Sequence, residues 1–371
     1  MKTTAAIATG PGQDFLLDEV ELDAPRSDEI LVRVHATGIC HTDIAVREQH
    51  LPLPLPAVLG HEGAGVVEAV GSAVTKVKPG DHVLMTFRSC GRCSNCQIGQ
   101  PAYCVDFNLL NGAGRRPDGS CTLYRNGTEL TGAFFGQSSF AGLALSYERN
   151  TVVLPADMPF EIAAPFGCGV QTGAGAVLRS LDCQAGSSLV VLGGGTVGLS
   201  AILAAVVRQC GPIILSEPSK ARRDLALSLG ATHVIDPLAG NLTEQLRAIC
   251  PAGVDHAVDT SGRVDAINEA IECLAVRGSI GLVGMPTVPT ASYGGNLYSA
   301  IARGIAIRGI VEGDSDPDCF IPELIELYRA GRFPVDRIVR TYPLADINAA
   351  VHDQHGGDCV KAVLLTDIAA A

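Results

Sequence analysis

The stretch from Cys40 to Glu62 carries CHTD at one end, GHE at the other and the apolar, proline-laden LPLPLPAVL between them. A thiol, an imidazole and carboxylates this close in the chain suit zinc ligands and the groups that orient them. An ordinary packed Cys and His would use the same residues, so the segment alone does not decide. Further on stand Cys90, Cys93, Cys96 and Cys104, spaced Cys-x2-Cys-x2-Cys-x7-Cys, with Gly, Ser and Asn between them that let the chain curl. Four thiolates so placed can close a tetrahedron around zinc at about 2.3 Å per bond, leaving no position for a substrate. A zinc-ribbon binding module competes with this reading, but it calls for two separated knuckles and a basic surface, and neither is present. Cys168 sits between two glycines in FGCGVQTGAG, where small neighbours admit a metal to the sulfur. A third ligand is what an open, catalytic site still requires.

These residues need elements to hold them. EILVRVHATGI alternates with period two and reads as a strand delivering Cys40 at its end, with His41, Thr42 and Asp43 in the first turn of a helix. HEGAGVVEAVGSAV and KVKPGDHVLM read as two strands joined near Lys78, Pro79 and Gly80. FFGQSSFAGLALSYERNTVVLP is strand-like in patterning, and the whole suits a small β-barrel.

The second half alternates differently. SSLVVLGGGTVGLSAILAAVV is an apolar strand, then Gly193, Gly195 and Gly198 at GxGxxG spacing, then an apolar helix. Glycines there permit a tight turn and close approach of a pyrophosphate, which the free N–H groups of the helix N-terminus receive. PIILSE follows as a second strand ending in Glu217, about 24 residues after the first glycine. A carboxylate at that place accepts both ribose hydroxyls of NAD and repels the 2′-phosphate of NADP. Helix 219–229, strand HVIDP, helix 243–250, strand VDHAVDTSG, helix 264–275 and strand SIGLVGM continue the alternation of a doubly wound parallel sheet. A strand near IAIRGI follows, and DCVKAVLL returns to the first domain.

Composition bounds the function. A chain of 371 residues, 47% apolar, can bury a large core and divide into two domains. Its net charge of −12 argues against nucleic acid or an anionic membrane as partner. The N-terminus lacks an apolar run of signal-peptide length and no segment has the length of a membrane span, so a cytoplasmic enzyme is expected. Thirteen cysteines, an odd count with locally clustered spacings, fit reduced thiols and metal sites rather than disulfides.

CHTD, GHEGAGVVEAVG, the four-cysteine lobe, FGCGVQTGAG and LGGGTVGLS cover essentially the whole chain. In this combination the sequence resembles the medium-chain, zinc-dependent alcohol dehydrogenases, and among them the bacterial aryl-alcohol (benzyl alcohol) branch. The resemblance implies an α/β chain. A GroES-like β-barrel catalytic domain would occupy residues 1–169 and 312–371, with the zinc lobe at 90–104, and a Rossmann NAD-binding domain residues 170–311. It implies two zinc ions, one structural and one catalytic, the latter bound by Cys40, His61 and Cys168 with Glu62 behind as an alternative ligand and Asp43 orienting the histidine. His41 and Lys361 match contacts to the cofactor pyrophosphate, Val197 the residue behind the nicotinamide, and Arg222 the cation near the adenosine ribose. Thr172, Thr196 and Val283 complete the implied cofactor set.

Two thiolates and a neutral imidazole leave zinc formally neutral and acting as a Lewis acid toward an alcohol, whose hydride goes to NAD. Thr42 is expected to take the alcohol proton and pass it to the ribose hydroxyl and solvent. Many relatives end this relay with a histidine where this chain has Ala45, so either solvent enters or a group such as His50 substitutes. LPLPLP, beginning at Leu51, is expected to line the entrance and offers no hydrogen bonds to a polyol, and Phe87, Phe140, Met285 and Val311 match family positions around the substrate. An aryl or allylic primary alcohol or its aldehyde is the expected substrate. A glutathione-dependent formaldehyde dehydrogenase would share CHTD and GHEGAG but would carry an anion-binding arginine near Asn108. A non-catalytic member of the fold is disfavoured by the intact Cys40, His61 and Cys168. A homo-oligomer, dimer or tetramer, is expected.

Overall fold

The strand Glu29–Gly38 lies at the centre of the first half of the molecule because both of its faces are apolar. Ile30, Val32 and Val34 point into one core with Val67, Val83 and Met85, while Leu31 points the other way into a larger core with Ile7, Phe15 and Phe140. Alternation with period two sends successive side chains to opposite faces, and here both faces are covered. In this computed structural model, which describes residues 1–366 other than Thr287 and Pro289, that strand pairs along one edge with Gly63–Val70. Along the other edge it pairs first with Leu143–Tyr147 and then, near Cys40, with the C-terminal strand Lys361–Leu365. Two register shifts bend its pairing with Gly63–Val70, as a barrel wall must bend. A second sheet runs Ala57–Val58, Lys2–Ala8, Leu16–Leu22, Leu123–Arg125, Thr128–Leu130.

The chain divides into two compact units: residues 1–168 with 316–325 and 336–371, and residues 169–315 with 326–335. The second unit holds a parallel sheet in the order His233–Ile235, Ile213–Ser216, Leu189–Leu192, Val254–Asp259, Leu274–Leu282, Ala306–Gly309. Strand order reverses between Ile213–Ser216 and Val254–Asp259, with Leu189–Leu192 central and fully buried, which is the doubly wound arrangement.

Two elements differ from the sequence reading. The helix expected over 264–275 stops at Glu272, and a strand begins at Leu274, because Ile271, Cys273 and Leu274 are all drawn into the sheet's core. A register shift follows, with Arg277 at φ 64°. The strand-like run from Phe134 instead begins with a tight turn in which Phe135 and Ser138 both take φ 51°, a left-handed conformation that few non-glycine residues adopt. Among the described residues, no helix is long and apolar enough to cross a membrane.

Candidate metal centres and active site

Cys40 caps the helix His41–Arg47, and Asp43 is that helix's third residue. The Asp43 carboxylate accepts the backbone N–H of Cys40 at 2.9 Å, so an acid in the first turn both caps the helix and meets the positive end of its dipole. Its other oxygen accepts the N–H of Gly60 at 3.0 Å and stands 3.0 Å from Nδ1 of His61. A carboxylate on Nδ1 keeps the proton there and turns the lone pair of Nε2 the other way. Nε2 is buried without a hydrogen-bond partner. Around it the Cys40, Cys168 and Glu62 side chains each offer one atom, all within 4.8 Å of one another, and the two sulfurs are 4.0 Å apart. A tetrahedron with 2.3 Å bonds has edges of about 3.8 Å, so this cluster has the size of a zinc site.

Electrostatics point the same way. The Cys40 thiol is held well below its ordinary value by a hydrogen bond from Cys168, which with the charge of His61 outweighs burial. Burial disfavours charge on His61, yet Asp43 and Cys40 together push it well above its usual range. The pocket therefore gathers negative charge that a bound dication would balance. Burial also pushes Glu62 up to about 7, although Lys361 Nζ lies 2.5 Å from its carboxylate. Lys361, expected at the cofactor pyrophosphate, is itself buried, pairing with Glu62 and donating to the carbonyl of Ile39 at 2.8 Å. A carboxylate buried this deeply requires a counter-ion, and Lys361 provides it.

Cys90, Cys93, Cys96 and Cys104 also converge to within 4.8 Å. Sulfur accepts backbone N–H groups inside the set, Cys90 N to Cys104 Sγ at 3.2 Å and Cys93 N to Cys90 Sγ at 3.4 Å. The backbone N–H groups of Cys96 and Val105 bring Cys93 down to about 6, while burial raises Cys96 and lifts Cys104 to about 12. A bound cation would favour the thiolate form of all four. The donor set fits zinc and is closed.

In the second unit each glycine of the fingerprint has a separate reason. Gly193 takes φ 98°, a side chain at Gly198 would strike the Gly193 carbonyl, and Gly195 faces open space. Those are the turn, the helix-to-strand contact and the approach left free for a phosphate. Thr196 and Val197 begin the helix Thr196–Val207. Glu217 is buried, accepting Gly194 N–H at 2.6 Å and Ser219 N–H at 2.8 Å, which aims the carboxylate and leaves lone pairs for further donors. Arg222 lies in the first turn of the next helix, whose cap Ser219 accepts its N–H. Arg223, which the sequence places beside Arg222 near enough to soften the choice of cofactor, touches this corner: it donates to the carbonyls of Glu217 and Pro218 at 2.7 Å and pairs with Asp236. Thr172 donates to Glu312 at 3.3 Å, and Val283 N–H to the Asp259 carbonyl.

Residues 26–155 match the family model for the alcohol dehydrogenase GroES-like domain, and residues 196–329 that for the zinc-binding dehydrogenase domain. A geraniol dehydrogenase of Castellaniella defragrans is 43% identical over 97% of both chains. The chain belongs to the zinc-type alcohol dehydrogenases. Among solved structures, an alcohol dehydrogenase zinc-binding domain protein from Burkholderia ambifaria superposes with a TM-score of 0.96 at 45% identity, covering 98% of this chain and 99% of its own. A benzyl alcohol dehydrogenase from Acinetobacter calcoaceticus gives 0.95 at 40% identity with the same coverage. As a zinc-type alcohol dehydrogenase, the protein is an oxidoreductase that uses zinc and NAD.

The aromatic surroundings of His61 in this alcohol dehydrogenase include two rings that sequence reasoning did not single out. Phe140 is wholly buried, edge-on to Phe15 at 5.8 Å and packed against Gly60, so it serves the core. Phe135 instead stacks on the His61 ring at 4.5 Å, and Phe134 meets it edge-on at 5.4 Å. Phe87 is buried at 5.9 Å from Phe107, which in turn lies 6.2 Å from Phe135. Leu51 packs half-buried on the large core. Met285 and Val311 are exposed in the second unit. Thr42 is half-buried with its hydroxyl 3.7 Å from Cys40 Sγ; Ala45 is buried, and His41 and His50 are exposed.

Proposed function

We propose that this enzyme oxidises primary alcohols whose carbinol carbon is attached to an aromatic ring or an allylic chain, and reduces the matching aldehydes. The observation that carries the reading is the pair of phenyl rings, Phe134 and Phe135, set against the imidazole of the catalytic cluster. Flat rings and apolar walls favour a flat, apolar substrate by burial and by aromatic contact. The similarity to proteins named for geraniol and for benzyl alcohol agrees with it. Asn108 offers no charge to a glutathione carboxylate.

Cys40, His61 and Cys168 are the proposed ligands of the catalytic zinc, with Glu62 an exchangeable fourth, and Cys90, Cys93, Cys96 and Cys104 hold the structural ion. Zinc bound at the first set supplies a Lewis acid that eases loss of the alcohol proton. Asp43 keeps His61 in the tautomer that presents Nε2. The Thr42 hydroxyl receives the alcohol proton, and with Ala45 unable to relay it, the exit is solvent or His50. Glu217 accepts the ribose hydroxyls of NAD, and Gly193, Gly195, Gly198, Thr196 and Val197 form the floor under the cofactor. The unit built on residues 1–168 is the catalytic domain and that on 169–315 the coenzyme domain.

The strand Ala306–Gly309 ends its sheet with exposed residues, beside a helix, Leu297–Arg303, whose Leu297, Tyr298 and Ile301 are also exposed. An exposed end strand with exposed apolar neighbours suits a second copy of the chain, supporting a homo-oligomer. Free thiols throughout fit a cytoplasmic location. Steady-state kcat/KM across benzyl alcohol, geraniol, ethanol and the glutathione adduct of formaldehyde tests the reading. Preference for the first two supports it; equal use of ethanol or of the adduct defeats it.

A further inference from the structure

Two of the proposed ligands are tied together through Asp43, which holds the Cys40 backbone and the His61 ring. Cys168 comes from a distant part of the chain, and a second set of hydrogen bonds runs from the His61 backbone toward it. The Gln137 side chain is buried beside the His61 backbone. Its Oε1 accepts the N–H of Gly63 at 3.0 Å, and its Nε2 donates to the carbonyls of His61 at 2.9 Å and Thr86 at 3.1 Å. The orientation of this amide admits one solution, since Gly63 N–H can only donate and the two carbonyls can only accept. Thr86 is fully buried, and its hydroxyl donates to the carbonyl of Gly167 at 2.6 Å, one peptide before Cys168. Its own N–H is held by the carbonyl of Asn150.

The turn that delivers Gln137 is the one with Phe135 and Ser138 in left-handed conformations. Such strain persists only where surrounding contacts enforce it, and it concentrates at functional sites. Space around the chain of bonds is tight as well. A side chain at Gly63 would collide with Met85 and Ser139, and one at Gly167 would come within 2.5 Å of the Met85 carbonyl.

We propose that Gln137 and Thr86 are positioning residues for the catalytic metal, a hydrogen-bonded strap from the backbone of His61 to that of Cys168 that sets the spacing of these two ligands. The inference rests on the metal-centre reading above. It differs from a plain packing role in what it predicts: loosening the strap should alter the geometry and retention of the ion at this site, beyond any loss of fold stability. Thr86→Val keeps the shape and removes only the hydroxyl, Thr86→Ser restores it, and Gln137→Met cuts the strap at its other end.

The test uses the full-length holoenzyme, with zinc loss to a chelator and the thiolate-to-cobalt absorption of cobalt-exchanged protein as readouts. Groups that orient ligands are worth about 10–100-fold in metal affinity. Thr86→Val should therefore release one of the two zinc ions at least about tenfold faster, shift the cobalt band and lower kcat for benzyl alcohol with little change in KM. Thr86→Ser should restore retention and band. If Gln137→Met does not fold, the Thr86 pair decides alone. A Thr86→Val protein with wild-type zinc release and an unchanged cobalt band overturns the inference, whatever its melting temperature. Wild-type protein that takes up only the structural zinc overturns the metal-centre reading itself, and the inference with it.

Discussion

Asp43 and His61 meet in complete burial, Oδ1 to Nδ1 at 3.0 Å, while the same carboxylate receives the Cys40 backbone on its other oxygen. One side chain thus orients two of the proposed ligands. Asp43→Asn keeps the volume but presents an N–H₂ where an acceptor is needed, facing either the Cys40 or the Gly60 N–H. Zinc affinity at the catalytic site should fall about 10–100-fold and kcat/KM with it. Competition against a chromophoric chelator measures the first, and retention at the wild-type affinity would contradict the role assigned to Asp43.

The four-cysteine lobe should behave differently. Cys104→Ser leaves the catalytic ligands intact and removes the buried sulfur that accepts the Cys90 N–H. The expected protein holds one zinc per chain instead of two, melts at a lower temperature and aggregates more readily, because the ion's binding energy is part of the lobe's folding energy. Cys168→Ser should show the reverse pattern, near-native melting with turnover abolished. Elemental analysis beside a melting curve separates the two.

What could be read in advance depended on whether neighbours in sequence are also neighbours in space. CHTD, the cysteine lobe and the glycine fingerprint are local, their spacing almost dictates their geometry, and the helix cap at Cys40 and the φ 98° turn at Gly193 follow from it. Phe134, Phe135 and Gln137 reach His61 only through a turn that violates ordinary backbone preference, so no period or propensity points to them. Phe140 lies just past the same turn with its backbone paired to Leu59, and that pairing sends its ring into the core. Lys361 illustrates the same limit, since its partner Glu62 lies at the other end of the chain.

Cofactor choice follows from Glu217. Its oxygens are fixed by Gly194 and Ser219, so the carboxylate cannot swing aside for a 2′-phosphate, and like charges in a buried corner repel. Arg223 is engaged with Asp236 and two carbonyls, which limits the compensation it offers. NAD should be strongly preferred, and Glu217→Ser should narrow the ratio of kcat/KM values for NAD and NADP. Equal use of both by the unmodified enzyme would refute this.

Acid stability should depend on Glu29. It is buried with Arg116 in a bidentate contact, accepts the Tyr147 hydroxyl at 2.9 Å, and Arg88 lies over the Tyr147 ring. Burial opposes the charge on Glu29, but Arg116 and the other donors lower its pKa below the ordinary glutamate value. A group depressed in the folded state contributes stability that is present above its unfolded value, about 4.3, and is lost as pH falls through the lower folded value. Glu29→Gln should destabilise the fold at neutral pH, though by less than stranding a buried charge would because Arg116 keeps Asp23, and should flatten the fall in melting temperature below about pH 4. Parallel slopes in the two proteins would remove Glu29 from the acid transition.

The substrate pocket gives the sharpest contrast, because two nearby phenylalanines should fail in different ways. Phe135 stacks on His61 and Phe140 is locked against Phe15 and Gly60. Phe135→Ala removes an aromatic contact worth about 0.5–1.5 kcal/mol beyond burial, together with apolar area that a substrate ring would cover. Benzyl alcohol should lose about tenfold or more in kcat/KM relative to ethanol, in addition to a loss of stability, since Phe135 is also buried. Phe140→Ala instead empties a core site and should cost about 3–5 kcal/mol of stability. Whatever activity it keeps should fall alike for both alcohols. Paired kinetics and melting curves on the two variants check this, and a selective loss of benzyl alcohol turnover in Phe140→Ala alone would return that ring to the pocket and remove Phe135 from it.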